Sequence, residues 1–187
     1  FYLFMTIFIT FICTLILMIN SSVDWGLEES FRKSLFQVIA FITTTGFVTE
    51  DLTNIQGASI LKVIFFLLLF MGGSAGSTAG GIKIVRHLVI FKNSWLEFKR
   101  LLHPSGIIPV RYNGNSVQGR ITFNVMAFII IYLMIFGFGS IVMAALPGVD
   151  LLTAISSVAT SLGNVGPGIS TVDPSQSFAH LPDTGKW

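Results

Sequence analysis

The pentapeptide Thr43-Thr44-Thr45-Gly46-Phe47 stands between an amphipathic segment that contains Ser and Thr and a very apolar segment. Glycine in such a motif allows backbone angles that other residues rarely adopt, so that successive carbonyl groups can face one axis. About 120 residues later, residues 160–168 (Thr-Ser-Leu-Gly-Asn-Val-Gly-Pro-Gly) again follow a short apolar segment with Ser and Thr, preceded by a long uncharged run. The repetition predicts two copies of one unit, each containing a loop that lines a pore.

The composition excludes a soluble domain. Hydrophobic residues make up 52% of the chain and charged residues 11%, whereas a soluble domain carries about 25% charged residues. Three uncharged runs, residues 1–23, 63–82 and 121–149, each reach the roughly 20 residues that cross the hydrocarbon of a bilayer. We therefore predict an all-α membrane protein that crosses the bilayer several times.

The first uncharged run does not have the features of a cleaved signal peptide. It lacks a basic start, its apolar stretch is too long, and no small-residue cleavage site follows. The chain begins without Met and stops within the repeated pattern, so we expect it to be a piece of a longer protein. The lone Cys13 excludes an internal disulfide and is expected to be a core or lipid-facing residue.

The distribution of charge orients the runs. Seven of the 11 basic residues lie between the second and third runs, accompanied by one acid, Glu97. These seven are Lys83, Arg86, Lys92, Lys99, Arg100, Arg111 and Arg120. The positive-inside rule places this segment in the cytoplasm. The other acids then lie outside, and both predicted pore loops open on one acidic face: Asp24, Glu28, Glu29, Glu50, Asp51, Asp150, Asp173 and Asp183.

A short amphipathic helix is predicted before the first pore loop, over residues 29–42. Its apolar side is expected to consist of Phe31, Leu35, Phe36, Val38 and Ile39. The helix is too short to cross the membrane, so we predict that it enters and leaves by the same face, with its irregular return lining a watery cavity. The alternative is an amphipathic helix that lies on the outer surface.

Five glycines interrupt the second uncharged run. Each costs a helix interior about 1 kcal/mol relative to Ala, so the pattern predicts a break and a flexible loop that obstructs or clears the pore without taking part in ion selection. The alternative is close helix packing through small residues. Lys83, which follows, either repels cations from within the pore or extends to the inner interface. The stretch consists of Gly72, Gly73, Ser74, Ala75, Gly76, Ser77, Thr78, Ala79, Gly80 and Gly81.

The organisation predicted along the chain has three parts. Residues 1–100 form a span, pore loop and broken second span with a cytoplasmic extension. Residues 101–118 form a cytoplasmic linker, with a small hairpin expected between Val110 and Val117 around an Asn-Gly turn. Residues 119–187 restart the pattern, with a span over 121–146, a short helix over 151–161 that Asp150 opens, the second pore loop, and an outer linker over 170–176.

These motifs together resemble the Trk/Ktr/HKT potassium-uptake superfamily, most closely its bacterial TrkH branch. The resemblance implies four parallel span/pore-loop/span repeats in one chain, of which this sequence holds the third and most of the fourth. It also implies a potassium-channel-like filter with one glycine per repeat, a gating loop in repeat three, a homodimer and a cytoplasmic nucleotide-binding regulatory subunit.

When the motifs of the family are matched to this sequence residue by residue, the resemblance implies that Gly46 and Gly166 are the filter glycines. The carbonyls of Thr44, Thr45, Asn164 and Val165 would then bind K⁺, as carbonyls replace the water shell of the ion in a channel filter. Asn164 and Pro167 depart from the Thr and Tyr of that filter. The gate would comprise residues 72–81 with Lys83, and the complete filter set is Thr44, Thr45, Gly46, Phe47, Asn164, Val165, Gly166 and Pro167.

The function predicted is K⁺ uptake across the cytoplasmic (inner) membrane through a channel-like pore. The alternative is a secondary transporter with an unwound helix at its substrate site. An enzyme is not expected, because His, Asp and Glu are absent from all three uncharged runs. We expect the lipid bilayer and K⁺ as partners, no cofactor and no nucleic acid, and the three histidines, His87, His103 and His180, show no metal-ligand spacing.

The acids near the outer mouth generate a first prediction. Changing Glu50, Asp51 and Asp173 to their amides should lower K⁺ uptake by the full-length protein at low ionic strength and low K⁺, because their summed field concentrates cations. The effect should fade as salt shortens the screening length to about 8 Å at physiological ionic strength. An equal loss in uptake at high salt would show that folding, and not the field, has changed.

Overall fold

The computed structural model describes residues 1–20, 24–49, 59–103, 108–112, 114–169, 172 and 178–186. The predicted acids Glu50, Asp51 and Asp173, and the outer linker apart from Val172, lie outside these ranges. The described elements are α1 (Tyr2–Ile19), α2 (Leu27–Ile42), α3 (Ser59–Leu68), β1 (Met71–Gly72), β2 (Ile82–Lys83), α4 (Ile84–Leu102), β3 (Arg111–Tyr112), β4 (Asn115–Ser116), α5 (Gly119–Ala144) and α6 (Leu151–Gly163).

Two of the described helices, α1 and α5, are long and apolar enough to cross a membrane. Both place polar residues inward and large apolar residues outward. On α1, Thr6, Thr10 and Thr14 are buried and each hydroxyl donates to the carbonyl four residues earlier, whereas Phe4 and Phe8 are more than half exposed. This arrangement suits a bilayer, where small hydroxylated residues allow close helix packing and apolar side chains face lipid.

Helix α2 packs against α1 and α3 in the described chain. On the predicted apolar side, Phe31, Phe36 and Ile39 are about 40% exposed. The buried face instead carries Ser30, Ser34, Gln37, Val38 and Phe41. A partly exposed apolar side is compatible with a membrane protein, in which lipid or further protein covers such a face.

The glycine-rich stretch breaks the second run, as predicted. Helix α3 ends at Leu68, α4 begins at Ile84, and residues 73–81 between the short strands are outside regular structure. The strands β1 and β2 pair in parallel, which closes the stretch into a loop. A continuous helix packed through its small residues, the alternative interpretation, is therefore wrong.

The core lies where α1, α2, α3 and α6 meet. Phe41 on α2 and Phe65 on α3 are fully buried, with ring centroids 5.2 Å apart. Other members of the buried cluster come from α1 and from the loop after α6, among them Cys13, Leu17, Val165 and Ile169. The core therefore joins the ends of both short helices, α2 and α6, to the broken crossing.

The remaining segments follow their predictions closely. The linker hairpin pairs Arg111 with Ser116 between Val110 and Val117, and the amide of Val117 donates to the carbonyl of Val110. Side chains of α4 hold the linker, since Arg100 donates through Nη2 to the carbonyl of Ile108 at 2.8 Å. Two 3₁₀ turns, Phe178–His180 and Asp183–Gly185, were not predicted.

Candidate functional site

The two predicted filter segments, residues 43–48 (segment one) and 163–168 (segment two), have the same backbone pattern. Thr44 and Asn164 have positive φ angles of 54° and 52°, and Gly46 and Gly166 have φ angles of 72° and 106°. These are the only non-glycine residues with positive φ in the described chain. A β-branched residue such as Thr44 rarely adopts this conformation, so the match between segments 120 residues apart is specific.

The hydrogen bonds at the two helix ends also match. The amide of Thr45 donates to the carbonyl of Ala40 at 2.9 Å, and the amide of Val165 donates to that of Thr160 at 3.1 Å. Each short helix therefore ends in the same left-handed turn. No hydrogen bond among the described residues is accepted by the carbonyls of Thr44, Thr45, Asn164 or Val165.

The two segments touch each other at Gly46, which lies against Val165 and Pro167. A β-carbon built on Gly46 would lie 1.9 Å from the carbonyl oxygen of Val165 and 2.9 Å from Cδ of Pro167. A β-carbon on Gly166 would have no neighbour within 4 Å. Gly46 is thus required for both close approach and backbone angle, whereas Gly166 is required for its angle alone.

Segment two is supported by hydroxyl groups of its own helix. Thr160 Oγ1 accepts from the amide of Gly166 at 3.0 Å and donates to the carbonyl of Pro167 at 2.9 Å. Ser156 Oγ accepts from the amide of Ile169. At the positions 120 residues earlier, helix α2 has Ala40 and Phe36, whose side chains have no hydroxyl to make these bonds.

Segment one is instead in contact with the glycine loop, residues 72–81. The amide of Gly80 donates to Thr44 Oγ1 at 3.1 Å. A β-carbon built on Gly80 would lie 2.1 Å from the carbonyl oxygen of Gly163 and 2.8 Å from Cβ of Asn164. The end of the loop therefore lies between the two filter segments.

Lys83 folds back onto the glycine loop. Its Nζ donates to the carbonyl of Ser77 at 2.9 Å and to that of Ala79, and it lies 3.3 Å from Ser77 Oγ. Extension of Lys83 to the inner interface, one of the two expectations, is therefore not what the structure shows. The ammonium group thus links two carbonyls of the glycine loop, those of Ser77 and Ala79, next to Gly80.

The comparison with known families decides the classification. The model of the TrkH family, described as cation transport protein, matches residues 1–187. The chain belongs to the TrkH family. The resemblance inferred from the motifs is thus confirmed.

Individual relatives of this TrkH-family chain carry related names. It is 34% identical to the Trk system potassium uptake protein TrkH of Salmonella typhimurium over 94% of this chain and 35% of that protein. It is 36% identical to TrkI of Halomonas elongata over 92% of this chain and 36% of that protein. The crystal structure of the potassium transporter TrkH from Vibrio parahaemolyticus matches all of this chain and 38% of its own, with a TM-score of 0.89 and 31% identity. The chain spans about a third of the length of these relatives.

Most of the predicted site residues of this TrkH-family chain lie together. Segment one, segment two, Gly80 and Lys83 converge, whereas the ring of Phe47 is 70% exposed and away from this cluster of contacts. Ser74, Ala75 and Gly76 form the exposed tip of the loop. Sequence reasoning missed the supporting roles of Thr160 and Ser156, which comparison of the two units at an offset of 120 residues could have shown.

The glycine geometry generates a second prediction. In the full-length protein, Gly46→Ser and Gly166→Ser should each lower the K⁺/Na⁺ uptake ratio, and Gly46→Ser should lower it more because its side chain also meets Val165. Gly137→Ala is the matched control, since Gly137 lies within α5 with no neighbour within 4 Å of a built β-carbon. Flux assays with both ions measure the ratio, and an unchanged ratio in both Ser variants would contradict the filter assignment.

Proposed function

We propose that the full-length protein takes up K⁺ across the cytoplasmic membrane through a channel-like pore. The backbone carbonyls of Thr44, Thr45, Asn164 and Val165 replace part of the water shell of the ion. Gly46 and Gly166 provide the backbone angles that this requires. K⁺ is the transported ion, and the pore needs no cofactor or enzymatic step.

One observation carries this proposal. Two segments with the same left-handed turns touch each other, and the carbonyls of Thr44, Thr45, Asn164 and Val165 accept no hydrogen bond from the described residues. Unpaired peptide carbonyls inside a membrane protein are costly unless water or a ligand meets them. A cation is the ligand that satisfies several carbonyl oxygens at once. The names of the relatives as potassium uptake proteins support K⁺ as that cation.

The arrangement of the complete protein is part of the same proposal. Residues 1–100 form one span/pore-loop/span repeat, residues 101–118 the cytoplasmic linker, and residues 119–187 most of the next repeat, in parallel orientation. Since the relatives are about three times longer, further repeats of a multi-pass inner-membrane protein complete the pore. A homodimer and a cytoplasmic nucleotide-binding regulatory subunit are expected by family resemblance.

The glycine loop with Lys83 is proposed as the gate. Its last residues lie between the two segments that form the pore wall, and its amide at Gly80 bonds to one of them. Lys83 brings a positive charge close to Gly80 and the two segments, and a positive charge at this point of the pore disfavours a K⁺ ion. The loop therefore blocks the pore by both volume and charge when it occupies this position.

Purified full-length protein in liposomes tests the function directly, as a third prediction. Uptake of Rb⁺ or Tl⁺ should follow the K⁺ electrochemical gradient and should continue without any gradient of Na⁺ or H⁺. A secondary transporter, the second possibility, would need one of those gradients because it couples two fluxes. Uptake that stops when the Na⁺ and H⁺ gradients are removed would contradict a channel-like pore.

The gate generates a fourth prediction. Lys83→Met should raise the open probability, because the loop loses three contacts made by the Lys83 ammonium group. The K⁺/Na⁺ permeability ratio should stay the same, as it should when residues 76–80 are deleted. Lys92→Met is the charge-matched control, since Lys92 lies on the same helix and its Nζ bonds to the linker carbonyl of Arg111 at 3.1 Å.

Single-channel recording separates open probability from permeability ratio in these variants. An altered ratio with unchanged open probability would mean that the glycine loop belongs to the ion-selecting site.

A further inference from the structure

An apolar groove of about 880 Å³ lies between α1, α4 and α5. Its wall on α1 is formed by Phe1, Met5 and Phe8. At 3.6 residues per turn, these side chains lie on the face of α1 nearly opposite its three buried threonines, and α1 packs against α2. The groove therefore opens on the flank of α1 that faces away from α2 and from filter segment one.

One face of α4 continues the groove toward the linker. Leu88 and Phe91 line the groove. Trp95, Phe98 and Leu102 follow Phe91 at intervals of four, three and four residues, which places them on the same face of the helix. The exposed fractions of these four side chains, from Phe91 to Leu102, lie between 62% and 76%. An apolar stripe thus extends from the groove along α4.

A smaller cavity of about 300 Å³ adjoins the groove at Phe91, which lines both. Two cations, Lys92 and Arg111, line this basic pocket beside Trp95, and no carboxylate is among its described lining residues. Lys92 Nζ donates to the carbonyl of Arg111 at 3.1 Å, which uses one of its three hydrogens. The acid of this part of the described chain, Glu97, pairs with Arg100. The basic pocket therefore carries two positive charges that no described acid neutralises.

We propose that the groove and the basic pocket together bind one anionic phospholipid of the cytoplasmic leaflet. An acyl chain lies in the groove, the headgroup phosphate meets Lys92 and Arg111, and Trp95 lies at the level of the headgroup, as tryptophan does at membrane interfaces. Basic pockets between helices on the cytoplasmic side of a membrane bind anionic headgroups. This inference goes beyond the proposed function, because it requires a membrane and not a K⁺ pore.

The charges of the basic pocket favour a lipid over a second copy of the chain. A dimer with twofold symmetry places the same patch of both copies in one interface, which would bring the cations of two basic pockets together with no described acid between them. Like charges across an interface oppose association. An anionic phospholipid instead supplies an apolar chain for the groove and a phosphate for the cations.

Native mass spectrometry of the purified full-length protein tests the binding of the headgroup. The protein is titrated with phosphatidylglycerol and, separately, with zwitterionic phosphatidylcholine of the same acyl chains. We expect phosphatidylglycerol to bind more tightly, and Lys92→Gln and Arg111→Gln each to lower its affinity roughly fivefold. Arg120→Gln is the matched control, because Arg120 is near the start of α5 and lines neither cavity. Equal affinity for both lipids in the parent protein, or Gln variants that behave as the control does, would overturn the proposal.

Two adjacent residues of α5 test the position of the acyl chain. Ile129 lines the groove, whereas Ile130 does not line it and is 56% exposed. Ile129→Trp should fill the groove and lower the affinity for phosphatidylglycerol, while Ile130→Trp should leave it unchanged. The proposal is wrong if both variants lose the lipid equally or if both retain it.

Conservative variants serve if the Gln variants do not fold. Lys92→Arg and Arg111→Lys keep the charge and should keep the preference for phosphatidylglycerol, and its loss in either variant would contradict a site defined by charge.

The same spectra report the oligomeric state, which identifies other occupants of the groove. A dimer that dissociates in Ile129→Trp with unchanged lipid binding would mean that a second copy covers the groove. If neither lipid binding nor oligomeric state changes, another part of the full-length chain covers it. Either result overturns the proposal. Lipid binding is measured without K⁺ flux, so absence of flux in the parent protein refutes the proposed function alone.

Discussion

A peptide group that leaves a helix in apolar surroundings must find another hydrogen-bond partner, because no water is present to replace the lost bond. The broken crossing meets this requirement with its own ends. The amide of Ile82 donates to the carbonyl of Phe70 at 3.1 Å, and that of Ile84 donates to Gly73 at 3.3 Å. Lys83 adds bonds to carbonyls within the loop. The position of Gly80 between the filter segments depends on this closure.

The same requirement explains the ends of α2 and α6. After each of these helices the chain turns through one residue with a positive φ angle, Thr44 or Asn164. The amide of the next residue can then still donate to a carbonyl of the helix. Asn adopts this conformation readily, whereas Thr does so at a cost of about 1–3 kcal/mol. The strained residue, Thr44, is also the one whose hydroxyl bonds to the glycine loop. The contact with the loop is therefore one of the interactions that hold segment one in this conformation.

Local signals were sufficient to predict the helices of this fold and the break in its second run, but not the two 3₁₀ turns or the pairing of β1 with β2. The length of the uncharged runs predicted α1 and α5, and the cluster of glycines predicted the break between α3 and α4. Asp150 marked the start of α6, where its Oδ2 accepts a hydrogen bond from the amide of Leu152. The buried face of α2 could not be predicted, because in a membrane neither face of an amphipathic helix must point inward. The contact between Gly46 and Val165 also has no local signal, since it joins residues 120 positions apart.

The two units differ most in how each filter segment is supported. Thr160 and Ser156 tie segment two to its own helix, while Ala40 and Phe36 leave segment one without such bonds. The glycine loop belongs to the first unit and bonds to segment one, yet Gly80 also packs against Gly163 of the second. A loop that moves away therefore changes the hydrogen bonding of one wall and only the packing of the other. In the pore that we propose, such a loop would alter the surroundings of segment one while segment two keeps the bonds to its own helix.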